Sequence, residues 1–448
     1  MRPGDAAYDG ARLLYNTRFD GVRPQAIARC GSVEEVQACV RFAARSGVPL
    51  RVRAGGHSYG GWSTGEGLVV DVTRLRGIRI EDGQVTVAAG ERLVDVYAAL
   101  GPRGVGIPAG SCPTVGLAGL TQGGGIGVLT RAWGLTCDNL LSAEVVTADG
   151  TVRTCDERRE PELFWALRGG GGGNFGIVTS LTLRTRPVGT LAIGFVTWPR
   201  SRAAGVIRAW QSWAARAPDE LWSTVHVDTG DELLVHAVQL GGAPALQSQL
   251  DQLAATIGVG PASHTVLVRG YGDAMLLEGG CAQRTVSQCH LPGQSVDGQL
   301  ERETYAAKSA VAERALSDQA IAALVAGIED LRARPNAGSG AILIDALGGA
   351  VGRIAGDATA FPHRSAFAVV QLIASWAAPG AADQTQGWLR DVYGRVRPLI
   401  GSGAYVNYAD PELSDWPNAY YGANLARLRR VKAQYDPSRL FAFPQAIA

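Results

Sequence analysis

Arg53-Ala54-Gly55-Gly56-His57-Ser58-Tyr59-Gly60-Gly61 and Pro108-Ala109-Gly110-Ser111-Cys112-Pro113-Thr114-Val115-Gly116 are the stretches on which the fold assignment turns. Glycine has no Cβ, so backbone N–H groups in such turns can approach and line an anion, and a diphosphate is a natural guest. The second stretch runs on to Gly123-Gly124-Gly125-Ile126-Gly127, and a third glycine cluster lies between Arg168 and Gly176. The nicotinamide-type GxGxxG spacing with a following acidic residue in a compact βαβ unit is missing, and no GK[ST] run marks a Walker loop. A histidine in a tight turn, such as His57, ordinarily serves as a hydrogen-bonding scaffold. Cys112 lies in a Gly/Ser/Pro loop without apolar periodicity, a poor place for a packing thiol and a good one for an exposed nucleophile.

Working outward, the chain holds 59 glycines in 448 residues, yet 46% of it is hydrophobic and it carries ten tryptophans, so the glycines belong to ordered turns rather than to disorder. That length exceeds what one hydrophobic core usually serves and predicts two domains or one split domain. The 42 basic and 41 acidic side chains leave a net charge of +1 with no Lys/Arg-rich block, which argues against nucleic acid or an anionic membrane and for an uncharged small molecule. The seven cysteines (30, 39, 112, 137, 155, 281 and 289) show no paired CxxC spacing, so mostly reduced, buried thiols and no metal site are expected, Cys289-His290 included. Met1–Asp5 lacks an apolar h-region and no run of about 18 apolar residues occurs, so the expectation is a cytoplasmic protein without signal peptide or membrane span.

Ser32-Val33-Glu34-Glu35 predicts a capping box opening a helix to about residue 45, with Val33, Val36 and Val40 on one face. Strands are predicted near 50–52, 67–72, 84–89 and 175–184, a short helix over 93–100, and a hairpin around Asp149-Gly150. Beyond Pro187 glycine thins. Helices are predicted near 201–215, 244–256, 316–333, 381–396 and 419–433, and strands near 222–228, 232–239, 264–269, 340–346 and 366–375. This pattern is α+β with a largely antiparallel sheet. Residues 271–305 show no period and are expected to form an irregular loop. Trp210 and Trp213, three apart on a helix, are expected to pack in the core.

The two opening stretches, together with Trp133-Gly134-Leu135-Thr136-Cys137-Asp138-Asn139, Ala148-Asp149-Gly150, Trp165-Ala166-Leu167-Arg168-Gly169-Gly170-Gly171 and Tyr405-Val406-Asn407-Tyr408, resemble the berberine-bridge-enzyme-like flavin oxidases. These have the vanillyl-alcohol-oxidase (PCMH) type of FAD-binding fold. The resemblance implies a split FAD domain over 1–187, a substrate domain over 188–400 and a segment over 401–448 that returns to the cofactor. It implies FAD bonded through its 8α carbon to His57 and through C6 to Cys112. Arg53, Ala54, Gly55, Gly56, Ser58 and Tyr59 would cradle the diphosphate. Gly110, Ser111, Val115, Gly116, Gly119, Gly123, Gly124, Gly127, Asp138, Asn139, Val178 and Asn407 would line the rest. Leu120 departs from plant members that carry a histidine near the pyrimidine edge.

The same resemblance implies Tyr408 or Tyr405 as the base that removes a hydroxyl proton, with Tyr59 contacting substrate. A free tyrosine titrates near 10, so a base working near neutrality needs a cation or hydrogen-bond donors at its oxygen. Asp345 and Gln371, polar residues within apolar strands, are further pocket residues, while Thr359–Arg364 is expected to be structural. The implied activity takes a hydride from an alcohol or sugar carbon, with O2 as acceptor and hydrogen peroxide as product. Oxidative ring closure in a natural product, or a flavin-free binding relative, are the alternatives.

Overall fold

The computed structural model describes every residue from Met1 to Ala448. The predicted capping box is present in a shifted form. Ser32 Oγ accepts a hydrogen bond from the Glu35 N–H at 3.3 Å, and the Glu35 carboxylate accepts from the Gly31 N–H at 2.6 Å. The helix Val33–Ser46 that follows buries Val36, Val40 and Ala43. It flanks a three-stranded parallel sheet in the order Ala26–Arg29, Leu68–Asp71, Leu50–Arg53. The last of these strands delivers the chain directly into the His57 turn.

A second, antiparallel sheet runs in the order Ile78–Glu81, Gln84–Ala88, Ile177–Arg184, Leu140–Val146, Val152–Cys155, with the predicted Asp149-Gly150 hairpin joining its last two strands. The third sheet has seven antiparallel strands, ordered Ser263–Gly270, Thr190–Pro199, Glu232–Leu240, Leu221–Asp228, Ser339–Ala346, Ala368–Ser375, Tyr305–Ala312. Register sets Gln371 opposite Leu343 and Ser309, and Asp345 opposite Thr224 and Val369, so these residues share one face. The alternate residues Ile342, Ile344, Val370 and Leu372 are buried on the other face. Helices Asp318–Arg332 and Ala382–Ile400 cover that face, and Trp210 and Trp213 are buried on the neighbouring helix Ala203–Ala214.

Two strands of this sheet, Thr190–Pro199 and Tyr305–Ala312, escape the sequence pattern. Every residue of the second is buried, so no polar face alternates with an apolar one. The expected loop over 271–305 contains a helix, Tyr271–Glu278, and is irregular only beyond it. Five of the seven cysteines are free thiols, as expected, and Cys112 is exposed as its loop predicts; the exception is the disulfide between Cys281 and Cys289, which their spacing did not announce. The helix expected at 419–433 divides at Gly422, whose φ of +48° no β-carbon residue adopts easily, into Trp416–Tyr421 and Leu425–Tyr435. No helix is long and apolar enough to cross a membrane.

The chain has only two lysines, and both clamp the C-terminal segment. Lys308, on the seven-stranded sheet, reaches Asp410 at 2.8 Å and Glu412 at 2.8 Å. Lys432 donates to Asp436, to Asn174 O in the third glycine cluster and to Phe441 O, each at 2.7 Å. Lys432 is 2% exposed and Asp436 1%. Removing one partner of such a pair strands the other charge without water. Lys432→Ala is expected to lower stability by about 3–5 kcal/mol in a denaturant titration, whereas the exposed pair Arg79–Glu81 is expected to contribute almost nothing.

Candidate functional site

The three glycine clusters converge on one cavity of about 430 Å³, closed on its other side by the seven-stranded sheet and the returning C-terminal segment. The first two clusters meet backbone to backbone. A Cβ on Gly55 would lie 2.1 Å from Gly116 N, and one on Gly116 would lie 2.4 Å from Gly55 N, so neither position admits a side chain. The wall takes Ala54, Gly55, Gly56, His57, Ser58 and Tyr59 from the first cluster. It takes Gly110, Ser111, Cys112, Val115, Gly116 and Gly119 from the second, and Gly171–Asn174 from the third. Val178, Asn407, Tyr405 and Tyr408 also line it.

His57 stacks on Tyr15 with ring centroids 4.1 Å apart, and its Nε2 lies 2.8 Å from Thr114 Oγ1. Enclosure by protein, and then the charge of Arg92, push this imidazole down to about 3, so at neutral pH it carries a lone pair rather than a charge. Nδ1 has no partner. Cys112 stands exposed in the wall; the crowding protein, and then the Glu303 carboxylate, push its thiol up. Tyr97 donates to Gly110 O at 2.5 Å and so pins the cysteine loop.

Opposite these loops lies a group of tyrosines. Tyr59 stacks on Tyr408 (5.1 Å, 20°) and meets Tyr305 edge-on (5.0 Å, 75°), while its hydroxyl accepts from Gln371 Nε2 at 3.1 Å. Tyr405 meets Tyr408 edge-on at 5.0 Å, and its oxygen accepts from the Gly125 N–H and from Asn407 Nδ2, each at 2.9 Å. The Tyr408 hydroxyl has no such donor. Burial, and next the Asp345 charge, hold it well above the usual phenol range. Burial likewise raises Tyr405, against the lowering by its two donors. Asp345 itself is pushed up to about 6, chiefly by burial.

Several residues expected in the wall stand behind it. Arg53 turns its guanidinium to Ala11 O, Arg12 O and Ser63 O and lies 3.7 Å from Asp71, so it ties the chain's start to the first sheet. Asp138 is bound bidentately by Arg364 at 2.7 and 2.8 Å, both groups being 4% exposed, and the Thr359–Arg364 segment thereby anchors the Trp133–Asn139 turn. Asn139 Nδ2 donates to Trp133 O and Leu135 O. Gly123, Gly124 and Gly127 lie where a Cβ would meet Asn407, Phe361 and Ala109 respectively, so they pack the wall rather than form it. Asp345 and Gln371 also sit back from the cavity: the charge of the first acts on Tyr408, and the second donates to the Tyr59 hydroxyl. Conversely, sequence reasoning did not find Arg51, Tyr15, Glu303, Tyr305 or Ile373, all of which line the cavity. Arg51 and Arg53, two apart on the strand Leu50–Arg53, belong to the same face by alternation, so the local sequence does not choose between them. Nothing in the local sequence marks Tyr15.

A nucleotide-sized cofactor fits this wall. Trp62 Nε1 and Ser63 Oγ are buried in it without a hydrogen-bond partner, two donors awaiting acceptors, and Arg51 is the one arginine that lines the cavity. Comparison with known proteins names that cofactor. Residues 24–156 match the FAD binding domain family and residues 404–448 the family described as berberine and berberine like. The chain is 34% identical to an uncharacterised FAD-linked oxidoreductase of Bacillus subtilis, YgaK, over 99% of this chain and 95% of that one. It is 31% identical to a xylooligosaccharide oxidase of Thermothelomyces thermophilus over 95% and 87%. The solved structure of Physcomitrella patens BBE-like 1 superposes with a TM-score of 0.91 at 29% identity, covering 100% of this chain and 96% of that one. With relatives of 31–34% identity aligned over nearly its whole length, the chain is an FAD-linked oxidoreductase and belongs to the berberine-bridge-enzyme-like family.

Proposed function

We propose that the protein oxidises a hydroxyl-bearing carbon of an alcohol or sugar, with O2 as final acceptor and hydrogen peroxide as product. Bound FAD supplies the two-electron acceptor for the hydride. The observation that carries the reading is the difference between the two facing tyrosines. Tyr405 is 2% exposed, and although the Gly125 N–H and Asn407 Nδ2–H donors favour its phenolate, they occupy its oxygen and leave little of it to a substrate. Tyr408 is half-buried in the cavity wall, its hydroxyl takes no hydrogen bond from the protein, and the charge of Asp345 acts on it. Tyr408 is therefore assigned as the base; with no donor to hold it as a phenolate near neutrality, it must give up its own proton as it takes the substrate's, and the Asp345 carboxylate, whose charge acts on it without a direct hydrogen bond, would receive that proton through an intervening water. Tyr59, steadied by Gln371, orients the substrate against Tyr408 and Tyr305.

In this reading residues 1–187 and 401–448 hold the cofactor, and 188–400 present the substrate face. The cavity wall offers aromatic surface suited to the C–H face of a sugar ring, and its charged side chains are only Arg51 and Glu303. The xylooligosaccharide oxidase among the relatives makes sugars the first substrates to try. The test is oxygen consumption with mono- and oligosaccharides, simple alcohols and glycosylated antibiotics, followed by added catalase. Uptake with half of the oxygen returned on catalase addition is expected. If flavin-loaded protein draws oxygen with none of these hydroxyl donors, the proposal fails.

A further inference from the structure

We propose that Cys30 and Cys39 form a peroxide-responsive dithiol, a modification site that closes to an intramolecular disulfide on exposure to hydrogen peroxide. Cys30 follows the strand Ala26–Arg29, where its N–H donates to Asp71 O at 2.9 Å, and Cys39 lies on the helix Val33–Ser46 packed beside it. Their sulfurs are 3.8 Å apart in direct contact. A disulfide needs about 2.05 Å, so side-chain adjustment of under about 2 Å makes the bond. The remaining thiols are placed otherwise: Cys137 points at Asp138, Cys155 at Ala143 O, and Cys112 at the cavity.

The two sulfurs are not equivalent. Cys30 is 1% exposed, whereas Cys39 is half-buried and reachable by a small oxidant. Either S–H can donate across the contact; thiolate forms on the more exposed Cys39, and the Cys30 S–H, which otherwise reaches Ala28 O at 3.8 Å, then donates to it. Glu35, one turn earlier on the helix, opposes ionisation of both, and Asp71 opposes it on Cys30. Cys39 is therefore the attacking sulfur and Cys30 the resolving one. The Cys39 thiolate attacks one peroxide oxygen and the O–O bond breaks, giving a sulfenic acid and a hydroxide, which takes up the proton that the Cys39 thiol had released and leaves as one water. The Cys30 sulfur then attacks the Cys39 sulfur, the S–O bond breaks, and the hydroxide leaves with the Cys30 proton as a second water. Two thiols lose two electrons and one peroxide becomes two waters. Peroxide released by the protein's own turnover would be a source, and that part alone rests on the oxidase reading.

The experiment uses flavin-loaded protein, reduced, desalted and treated with added hydrogen peroxide, so its result does not depend on any substrate being turned over. Free thiols are alkylated in denaturant and the digest is mapped without reductant. A peptide linked through Cys30 and Cys39 is expected. The peptides of Cys30 and Cys39 should lose their alkyl label while those of Cys137 and Cys155 keep it. Cys39→Ser should abolish the linked peptide and leave Cys30 alkylatable, and Cys39→Ala repeats the control if the serine variant folds poorly. The proposal is overturned if both thiols of the wild-type protein stay alkylatable, or if Cys39 proceeds to sulfinic or sulfonic acid while Cys30 stays a thiol.

Discussion

Replacing His57 and Cys112 together by alanine is expected to give protein whose yellow colour passes entirely into the supernatant on acid precipitation. His57→Ala alone should retain colour in the pellet through Cys112. The expectation rests on how the two groups are held. In the tautomer in which Nε2–H donates to Thr114 Oγ1, the neutral imidazole keeps its lone pair on Nδ1, the nitrogen without a protein partner and so free to form a carbon–nitrogen bond. The Cys112 thiol is exposed in the opposite loop, which Tyr97 fixes through Gly110. The glycine cradle is untouched by either change, so the double variant should still bind FAD reversibly and melt cooperatively. Colour that stays in the pellet of the double variant would refute the assignment of both attachment points.

The cradle was legible because its constraints are local. Gly55 and Gly116 are glycines since each one's missing Cβ makes room for the other's backbone, and that requirement shows in the sequence as clusters. The Ser32 cap and the Asp149-Gly150 hairpin were legible for the same reason. What was missed depends on pairing across the chain. Arg53 and Arg51 are two residues apart on one strand, and only tertiary contacts decide that Ala11 and Asp71 engage the first while the cavity takes the second. Asp138 looked like a cofactor residue because it sits in a recognisable motif, but its partner is Arg364, 226 residues away. Tyr305 lies on a strand whose complete burial removes the alternation that would have revealed it.

Tyr408→Phe is expected to slow anaerobic bleaching of the bound flavin by about 10²–10⁴-fold, measured with a sugar that the oxygen screen identifies. Tyr405→Phe should act mainly on stability, because it strands the Gly125 N–H and Asn407 Nδ2 donors at about 1–3 kcal/mol. Equal rates for wild type and Tyr408→Phe would overturn the assignment of the base. The proton's destination predicts the pH dependence. With Asp345 pushed up to about 6, the carboxylate able to accept from Tyr408 is present only above that pH, so the rate should rise through about pH 6 and level off. Asp345→Asn should flatten the rise and lower the plateau. The same residue has the opposite effect on folding. Its folded pKa lies above its unfolded one, near 3.9, so between these values the folded state binds more protons than the unfolded, and stability falls as pH rises from about 4 to 6. Above pH 6 the buried carboxylate costs roughly 3 kcal/mol, and Asp345→Asn should melt higher there than wild type while turning over more slowly. A variant that lost both stability and rate above pH 6 would instead make Asp345 a satisfied structural group, and would leave Tyr408 without a proton acceptor.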